Sequence, residues 1–232
     1  YNDPAYPPVL YDQNIVIGMP SSGNIIRNYG GNAASVTCGI YLNYITRPNV
    51  SYNTINNASS GTNATSTLYG IYMPQPSGGG DIIINDNNIT LGQGSTSTAN
   101  CIFLNTYFNS INIANNTFGY GTFASTSYSY MIYCRNATNI LNVTYNQTTG
   151  TITKTAYGPI YGYYGNAGTL NGTINISNNN FSNISLQNGS SLYGIYQESP
   201  QSTHILNNTI SNITMGTNSF LLGIQQVGNS LE

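Results

Sequence analysis

Apolar residues recur along this chain in short segments that are separated by clusters of Asn, Ser and Gly. One segment has the form [VI]-x-x-N-x-[IF], as in the stretch ILNNTISNIT, where it runs from Ile205 to Ile210. Its asparagine recurs with spacings of 29, 34, 29, 30, 33 and 29 residues, at Asn24, Asn53, Asn87, Asn116, Asn146, Asn179 and Asn208. A period of this size is the signature of a repeat fold.

The positions on either side of this asparagine are mostly apolar. Three residues before it stand Ser21, Val50, Ile84, Ile113, Val143, Ile176 and Ile205. Two residues after it stand Ile26, Ile55, Ile89, Phe118, Thr148, Phe181 and Ile210. Ser21 and Thr148 are the polar exceptions, or lapses, in the two columns. We expect the apolar side chains of both columns to point into a core.

A second segment follows about 16 residues after each asparagine, in words such as CGIYL, YGIYM and YGIYQ. Its apolar column is Ile40, Ile71, Ile102, Ile132, Tyr163, Ile195 and Ile224. The next residue is aromatic in six copies, at Tyr41, Tyr72, Phe103, Tyr133, Tyr164 and Tyr196. Because neighbouring residues of a strand face opposite ways, an inward isoleucine column predicts an exposed aromatic ladder on the outside.

Short β-branched and aromatic segments bounded by Gly, Asn and Ser are typical of strands and turns, and no segment shows helical periodicity. We therefore expect an all-β, single-domain parallel β-helix of about seven coils with ~30 residues per coil. The expected boundaries are an N-terminal extension at 1–13, the β-helix at 14–228 and a cloning-derived tail at 229–232. The asparagines are predicted to form a hydrogen-bonded ladder at a corner whose left-handed backbone Asn tolerates.

The N-x-[IF] corners, each followed by a G-I-Y strand, resemble the repeats of the pectin-lyase-like superfamily over about residues 14–227. The resemblance implies a right-handed parallel β-helix of three sheets. It also implies the functions of that superfamily, which include polysaccharide lyases and hydrolases, phage tailspikes and adhesin passenger regions. The adhesin and autotransporter-passenger type is the closest in character, because the acids that the enzymes need are scarce here.

The amino-acid composition of the chain limits the kinds of partner that we expect it to bind. Lys, Arg, Asp and Glu make up 4% of the residues and the net charge is −2, whereas ordinary domains carry about 25% charged residues. A nearly neutral surface gives no electrostatic attraction to phosphate, so we expect no nucleic-acid partner. No apolar run has the ~18 residues of a membrane helix, so membrane insertion is not expected either.

The candidate catalytic groups do not form a cluster in the sequence. Asp81 and Asp86 flank the strand DIIIND and would face opposite ways, and Asp86 fits a corner next to a ladder asparagine. Arg135 has no acidic cluster near it in the repeat, and His204 is interpreted as a solvent-facing strand residue. Cys38, Cys101 and Cys134 lack metal-ligand spacing and are interpreted as small core residues. We expect no catalytic site, no metal and no cofactor.

The aromatic column is the remaining candidate site. A stacked ladder stabilises a sheet by itself, and it also suits a sugar ring or a protein surface. The resulting hypothesis is a secreted or cell-surface module that binds carbohydrate or protein through aromatic and amide groups, with possible self-association. The alternative is a polysaccharide-active enzyme of the same fold. Sequons such as Asn57, Asn63, Asn171 and Asn188 are candidate glycosylation sites, whereas Asn146 is assigned to the ladder.

Overall fold

The computed structural model describes residues 12–29, 35–57, 67–74, 80–92, 98–105, 108–135, 139–166, 172–187, 189–198 and 202–228. These residues form an all-β parallel solenoid of about six turns with about 31 residues per turn. The predicted fold class is therefore confirmed. The seven ladder asparagines delimit six complete turns, which accounts for the difference from the expected seven coils.

Short strands make up nearly all the regular structure of the described ranges, which contain no helix long and apolar enough to span a membrane. In chain order they are β1 (Asp12–Gln13), β2 (Val16–Ile17), β3 (Ile25–Arg27), β4 (Thr37–Tyr41), β5 (Ile45–Thr46), β6 (Asn49–Ser51), β7 (Thr54–Asn56), β8 (Leu68–Met73), β9 (Asp81–Asn85), β10 (Asn88–Leu91), β11 (Ala99–Asn105), β12 (Ser110–Ala114), β13 (Thr117–Tyr120), β14 (Thr122–Phe123), β15 (Ser129–Arg135), β16 (Ile140–Thr144), β17 (Gln147–Thr148), β18 (Ile152–Lys154), β19 (Pro159–Asn166), β20 (Thr173–Ser177), β21 (Ile184–Leu186), β22 (Ser191–Glu198), β23 (Ser202–Leu206), β24 (Ile213–Met215) and β25 (Phe220–Val227).

Equivalent strands of successive coils pair in parallel. Sheet I has the order β2-β6-β9-β12-β16-β20-β23, sheet II β3-β7-β10-β13-β17, and sheet III β4-β8-β11-β15-β19-β22-β25. A fourth sheet, β14-β18-β21-β24, is added in the later coils, and β1 pairs with β5. Each coil thus passes from sheet I through sheet II to sheet III around one apolar interior.

The ladder asparagines lie at the corner between sheets I and II and are joined as predicted. The Nδ2 of each donates to the Oδ1 of the next at 2.9–3.0 Å, along the whole series from Asn24 to Asn208. The same Oδ1 also accepts the backbone N–H of the preceding ladder asparagine at 3.0–3.1 Å. Asn146 is fully buried in this network, so its sequon has no free amide to carry a glycan.

The left-handed backbone conformation at this corner is adopted by the residue before the ladder asparagine, and not by the ladder asparagine as predicted. The residue just before the ladder asparagine adopts φ between 55° and 60° at Tyr52, Asp86, Asn115, Tyr145, Asn178 and Asn207. The side-chain amide of the ladder asparagine points along the solenoid axis to the next coil, and the residue before it makes the sharp bend of the corner. Asp86 is therefore a corner residue, as predicted.

The inner columns are buried in the central coils, with one correction to the sequence alignment. The column before the asparagine, from Val50 to Ile176, is fully buried. In the first coil the partner of Val50 is Ile17, whereas Ser21 is exposed. Four additional residues between Ile17 and Asn24 form a turn closed by Ser22 N–H donating to the Met19 carbonyl at 2.9 Å. The apparent lapse at Ser21 therefore reflects an insertion, which spacing alone did not reveal.

The lapse at Thr148 is matched by a change on the opposite strand. In most coils, the residue before the isoleucine column of sheet III is a glycine. A Cβ added to this glycine would collide with the apolar residue that sheet II contributes in the next coil, as Gly70 with Ile89, Gly162 with Phe181 and Gly194 with Ile210. By the same offset of one coil, the position that corresponds to Thr148 lies in the preceding coil, where Met131 replaces the glycine, and both residues are buried. A larger side chain on one wall thus accompanies a smaller one on the other, which keeps the interior filled.

We predict that Gly162→Ala destabilises the protein by about 1–3 kcal/mol, because its methyl would overpack the core. The new Cβ would lie 2.5 Å from the Gly194 carbonyl oxygen and 2.6 Å from Phe181 Cγ. Gly223→Ala, in the same column, is the control, because its nearest neighbour is Ile210 Cδ1 at 4.0 Å. Thermal unfolding should separate the two variants, and equal melting temperatures would contradict the packing argument.

Lys154 lies inside the solenoid, although its neighbours Thr153 and Thr155 give no sign of this in the sequence. It occupies an interior position of the fourth sheet, in register with Phe123 and Leu186. Its Nζ donates to the Ser125 carbonyl oxygen and lies 4.8 Å from the centre of the Phe123 ring. Burial lowers the pKa of Lys154 from 10.5 to about 8.

Candidate functional site

The predicted aromatic column runs along the outside of sheet III. Its members are direct partners of one another in successive strands: Tyr41, Tyr72, Phe103, Tyr133, Tyr164 and Tyr196. Their side chains point outward as predicted, although most of them are less exposed than the ladder expected from the sequence. Tyr41, at the end of the column, is 55% exposed, whereas the others are half-buried. Stacking explains the difference, because each ring covers a face of its neighbour.

A second aromatic column lies beside the first and was not predicted. It consists of Tyr69, Tyr130, Tyr161 and Tyr193, each three residues before a member of the first column. Strict alternation would place residues three apart on opposite faces. In β8, however, Gly70 and Ile71 are consecutive buried residues, so Tyr69 and Tyr72 both face outward. The same interruption recurs in β15, β19 and β22. We call the two columns together the tyrosine face.

The rings of the tyrosine face are ordered in two directions. Along the axis, Tyr133–Tyr164 and Tyr164–Tyr196 stack with centres 5.3 and 5.2 Å apart and planes within 4° of parallel. Within one strand, Tyr161–Tyr164 and Tyr193–Tyr196 meet edge to face with their centres 5.2 and 5.9 Å apart. Both arrangements are favourable for aromatic pairs. With Tyr130–Tyr133, whose planes meet at 63°, three consecutive coils therefore each present an edge-to-face pair of rings.

A groove of about 540 Å³ follows these three coils. It is lined by Tyr128, Tyr130, Tyr161, Tyr164, Tyr193, Tyr196 and Gln225. A smaller groove of about 290 Å³ adjoins it, shares Tyr128, Tyr161 and Tyr193, and is bordered by Tyr157 and Ser191. Asn100 interrupts the second column between Tyr69 and Tyr130, and Leu222 follows Tyr193 at its other end. The groove is thus confined to one part of the solenoid.

A row of polar residues follows the first aromatic column on the same strands. Arg135, Asn166 and Glu198 are register partners in β15, β19 and β22, two residues beyond the first aromatic column. We call this row the polar edge. Glu198 accepts hydrogen bonds from the Tyr196 hydroxyl at 2.7 Å and from Asn166 Nδ2 at 3.0 Å. No acidic cluster was expected near Arg135, and stacking places a single acid, Glu198, two strands away in the same row.

The phenols of the face keep their protons at neutral pH. Burial raises the pKa of Tyr130 and Tyr161 above the ordinary range. The hydrogen bond to Glu198, followed by burial, raises the pKa of Tyr196 to about 12. Burial is also the main cause of the raised pKa of Tyr133 and is opposed by the positive charge of Arg135. The face therefore offers neutral hydroxyl groups that both donate and accept hydrogen bonds.

The remaining candidate groups are dispersed. Asp81 is exposed on sheet I and accepts a hydrogen bond from Ser110 Oγ at 2.7 Å, while Asp86 lies at the corner. His204 is exposed on β23, as predicted, with Ser202 Oγ 3.4 Å from its Nε2. Among the described residues, no group of three His, Cys, Asp or Glu side chains lies close enough to hold a metal ion.

The cysteines occupy hydrophobic surroundings. Cys101 and Cys134 are buried, Cys38 is half-buried, and all three are free thiols. Burial raises the pKa of Cys101 to about 12 and that of Cys38 to about 11. Such thiols are protonated at neutral pH and poorly reactive, which agrees with their interpretation as small core residues.

The sequons divide between described and undescribed positions. Asn57 is buried, and its Oδ1 accepts the backbone N–H of Gly92 at 2.8 Å. A buried and hydrogen-bonded side chain does not fit the interpretation of Asn57 as a glycosylation site. Asn63, Asn171 and Asn188 lie outside the described residues, as do the segments 1–11 and 229–232.

Comparison with known proteins leaves the family open. No family model matches this chain, and neither does any curated protein or solved structure. The resemblance to the pectin-lyase-like superfamily therefore rests on the N-x-[IF] corners and G-I-Y strands of this chain. What the structure establishes is a parallel β-helix with stacked asparagine side chains.

Proposed function

We propose that the tyrosine face is a non-catalytic carbohydrate-binding surface, carried by a secreted or cell-surface β-helix of the pectin-lyase-like type. The observation that carries this proposal is the groove of about 540 Å³ between two columns of ordered tyrosine rings. Aromatic rings bind the apolar faces of sugar rings, and their hydroxyl groups bind sugar hydroxyls.

The charge and polarity of the chain support the same proposal. Its charged residues amount to 4% and its surface relies on amides and hydroxyls. A neutral groove of this kind favours an uncharged, hydroxyl-rich ligand over nucleic acid, which needs clustered cations. A protein partner could also contact an aromatic face, but the separate perpendicular rings fit ring-sized ligand units better than one flat surface.

The central tyrosines should dominate binding. We predict that Tyr193→Ala weakens glycan binding by about tenfold or more, because this half-buried ring lines both grooves. Tyr41→Ala is the matched control: Tyr41 belongs to the same face but lies outside the groove lining, so its loss should leave binding unchanged. A glycan array identifies the ligand, and isothermal calorimetry with that glycan measures both variants. Equal losses in both variants, or no glycan bound by the unmodified protein, would count against the proposal.

A polysaccharide-active enzyme is the second candidate, because the Glu198 carboxylate accepts a hydrogen bond from Tyr196, which lines the groove. Incubation with pectic and other polysaccharides, scored for new reducing ends and for the absorbance of unsaturated products, tests it directly. Activity that disappears in Glu198→Gln would replace the binding proposal with an enzymatic one.

A further inference from the structure

Three consecutive strands of sheet III carry one repeated pattern that the period of the chain does not single out. Tyr130 to Arg135, Tyr161 to Asn166 and Tyr193 to Glu198 each read Tyr-x-x-Tyr-x-polar. The pattern places two rings of the tyrosine face and one member of the polar edge in each coil. The neighbouring coil has Asn100 in place of the first tyrosine, so the complete pattern occurs in the three coils whose tyrosines line the groove.

The polar edge lies on the groove side of the sheet. Arg135, Asn166 and Glu198 stand two residues beyond the first aromatic column, and residues two apart in a strand face the same way. Along the axis, the three side chains follow one another at the strand spacing of about 4.8 Å, so the row spans roughly 10 Å. A ligand that lies parallel to the axis on the rings meets all three polar side chains in turn.

The order of charges in this row is Arg, Asn, Glu. Arg135 supplies donors only and Glu198 acceptors only, while the Asn166 amide supplies both. Each Glu198 oxygen already accepts one hydrogen bond, from Tyr196 or Asn166, and a carboxylate has room for about four in all. The two opposite charges cancel, so the row as a whole gives no net electrostatic attraction to an anionic or a cationic ligand.

From these observations we infer that the polar edge makes the tyrosine face selective for neutral glycans bound parallel to the solenoid axis. This inference rests on the proposed carbohydrate-binding function. The rings supply contact with the sugar faces, and Arg135 and Glu198 bind hydroxyl groups along one side of the ligand. Hydroxyl groups suit both ends of the row, because each can donate to the carboxylate and accept from the guanidinium.

The edge variants provide the test. We predict that Arg135→Gln and Glu198→Gln each weaken binding of a neutral oligosaccharide by about tenfold, the usual effect of removing a hydrogen bond to a charged group. Arg27→Gln and Asp81→Asn make the same charge changes at exposed positions on sheets II and I and should leave the affinity unchanged. Affinity for the neutral ligand should also be insensitive to salt, because no net charge is neutralised on binding.

Matched anionic and cationic oligosaccharides measure selectivity. The unmodified protein should bind both more weakly than the neutral one, and Glu198→Gln should improve binding of the anionic ligand while Arg135→Gln improves that of the cationic one. If Tyr193→Ala abolishes binding while both edge variants keep the affinity and preference of the unmodified protein, the edge inference is overturned and the carbohydrate-binding function stands. If the unmodified protein binds no glycan, both fail.

Discussion

Replacing the central ladder asparagine, Asn116→Ala, should lower the stability of the protein by about 4 kcal/mol, because several buried groups lose their partners at once. Asn116 Nδ2 donates to Asn146 Oδ1 at 2.9 Å and to the Ile84 carbonyl oxygen at 2.8 Å. Its Oδ1 accepts the backbone N–H and the Nδ2 of Asn87, both at 3.0 Å. Each buried polar group left without a partner costs about 1–3 kcal/mol.

Thermal unfolding measures this effect. For a domain of this size, the loss should lower the melting temperature by about 10 °C. Asn24→Ala is the matched control, because Asn24 is an exposed terminal member whose Nδ2 makes the same bond to Asn53 at 2.9 Å. Its replacement should cost about 1 kcal/mol or less, as expected for an exposed hydrogen bond. Similar shifts in the two variants would show that the buried ladder has no special role in stability.

Removing the buried amine by Lys154→Met should stabilise the protein at pH 7 by about 1–3 kcal/mol, because the change replaces a desolvated charge with an apolar side chain of similar length. The register partner Leu186 shows that an apolar residue fits this position of the sheet. The upper limit follows from the shift of the Lys154 pKa from 10.5 to about 8, since one pKa unit corresponds to about 1.4 kcal/mol.

The advantage of Lys154→Met should depend on pH in a definite direction. Between about pH 8 and pH 10.5 the unfolded chain keeps the Lys154 proton and the folded protein has released it. The folded state therefore binds fewer protons, so raising the pH stabilises the unmodified protein relative to the variant. The difference in unfolding free energy should be constant below pH 8 and shrink as the pH rises to 10.5.

Urea unfolding of both proteins at several pH values provides the measurement. Taking the difference between them removes the titration of the cysteines and tyrosines, which both share. Arg27→Met, at an exposed position, should give a difference that does not change with pH. A pH-independent difference for Lys154→Met would mean that the amine is solvated in the folded protein.

The period of the asparagines was sufficient to predict the coils, their parallel pairing and the ladder. Seven asparagines at near-equal intervals can bond to one another only if equivalent positions stack, and stacking in register also aligns Ile40 with Ile71 and Tyr133 with Tyr164. For the first coil, the same reasoning assigned the wrong residue to the inner column. Its four additional residues lie between Ile17 and Asn24, and only strand pairing shows that Ile17, rather than Ser21, adjoins Val50.

The candidate site was predictable in part. The first aromatic column follows from strand alternation next to a buried isoleucine. The second column does not, because Tyr161 and Tyr164 share a face only when two consecutive residues, Gly162 and Tyr163, both point inward. That local departure depends on the close approach of Gly162 to Phe181 from another sheet. The exposure of the rings was likewise overestimated, since one ring covers the next only once the coils are stacked.

The sequence by itself thus determined the repeat, the direction of stacking and the residues that fill the interior, because these depend on interactions between equivalent positions of neighbouring coils. Tertiary structure alone decided which residues of different coils and strands meet. It brought Arg135 and Glu198 into one row, placed Tyr130, Tyr161 and Tyr193 beside the first column, and enclosed Lys154. The physical reason is that these placements depend on packing between sheets and on where each coil bends, neither of which is encoded in the spacing of similar residues.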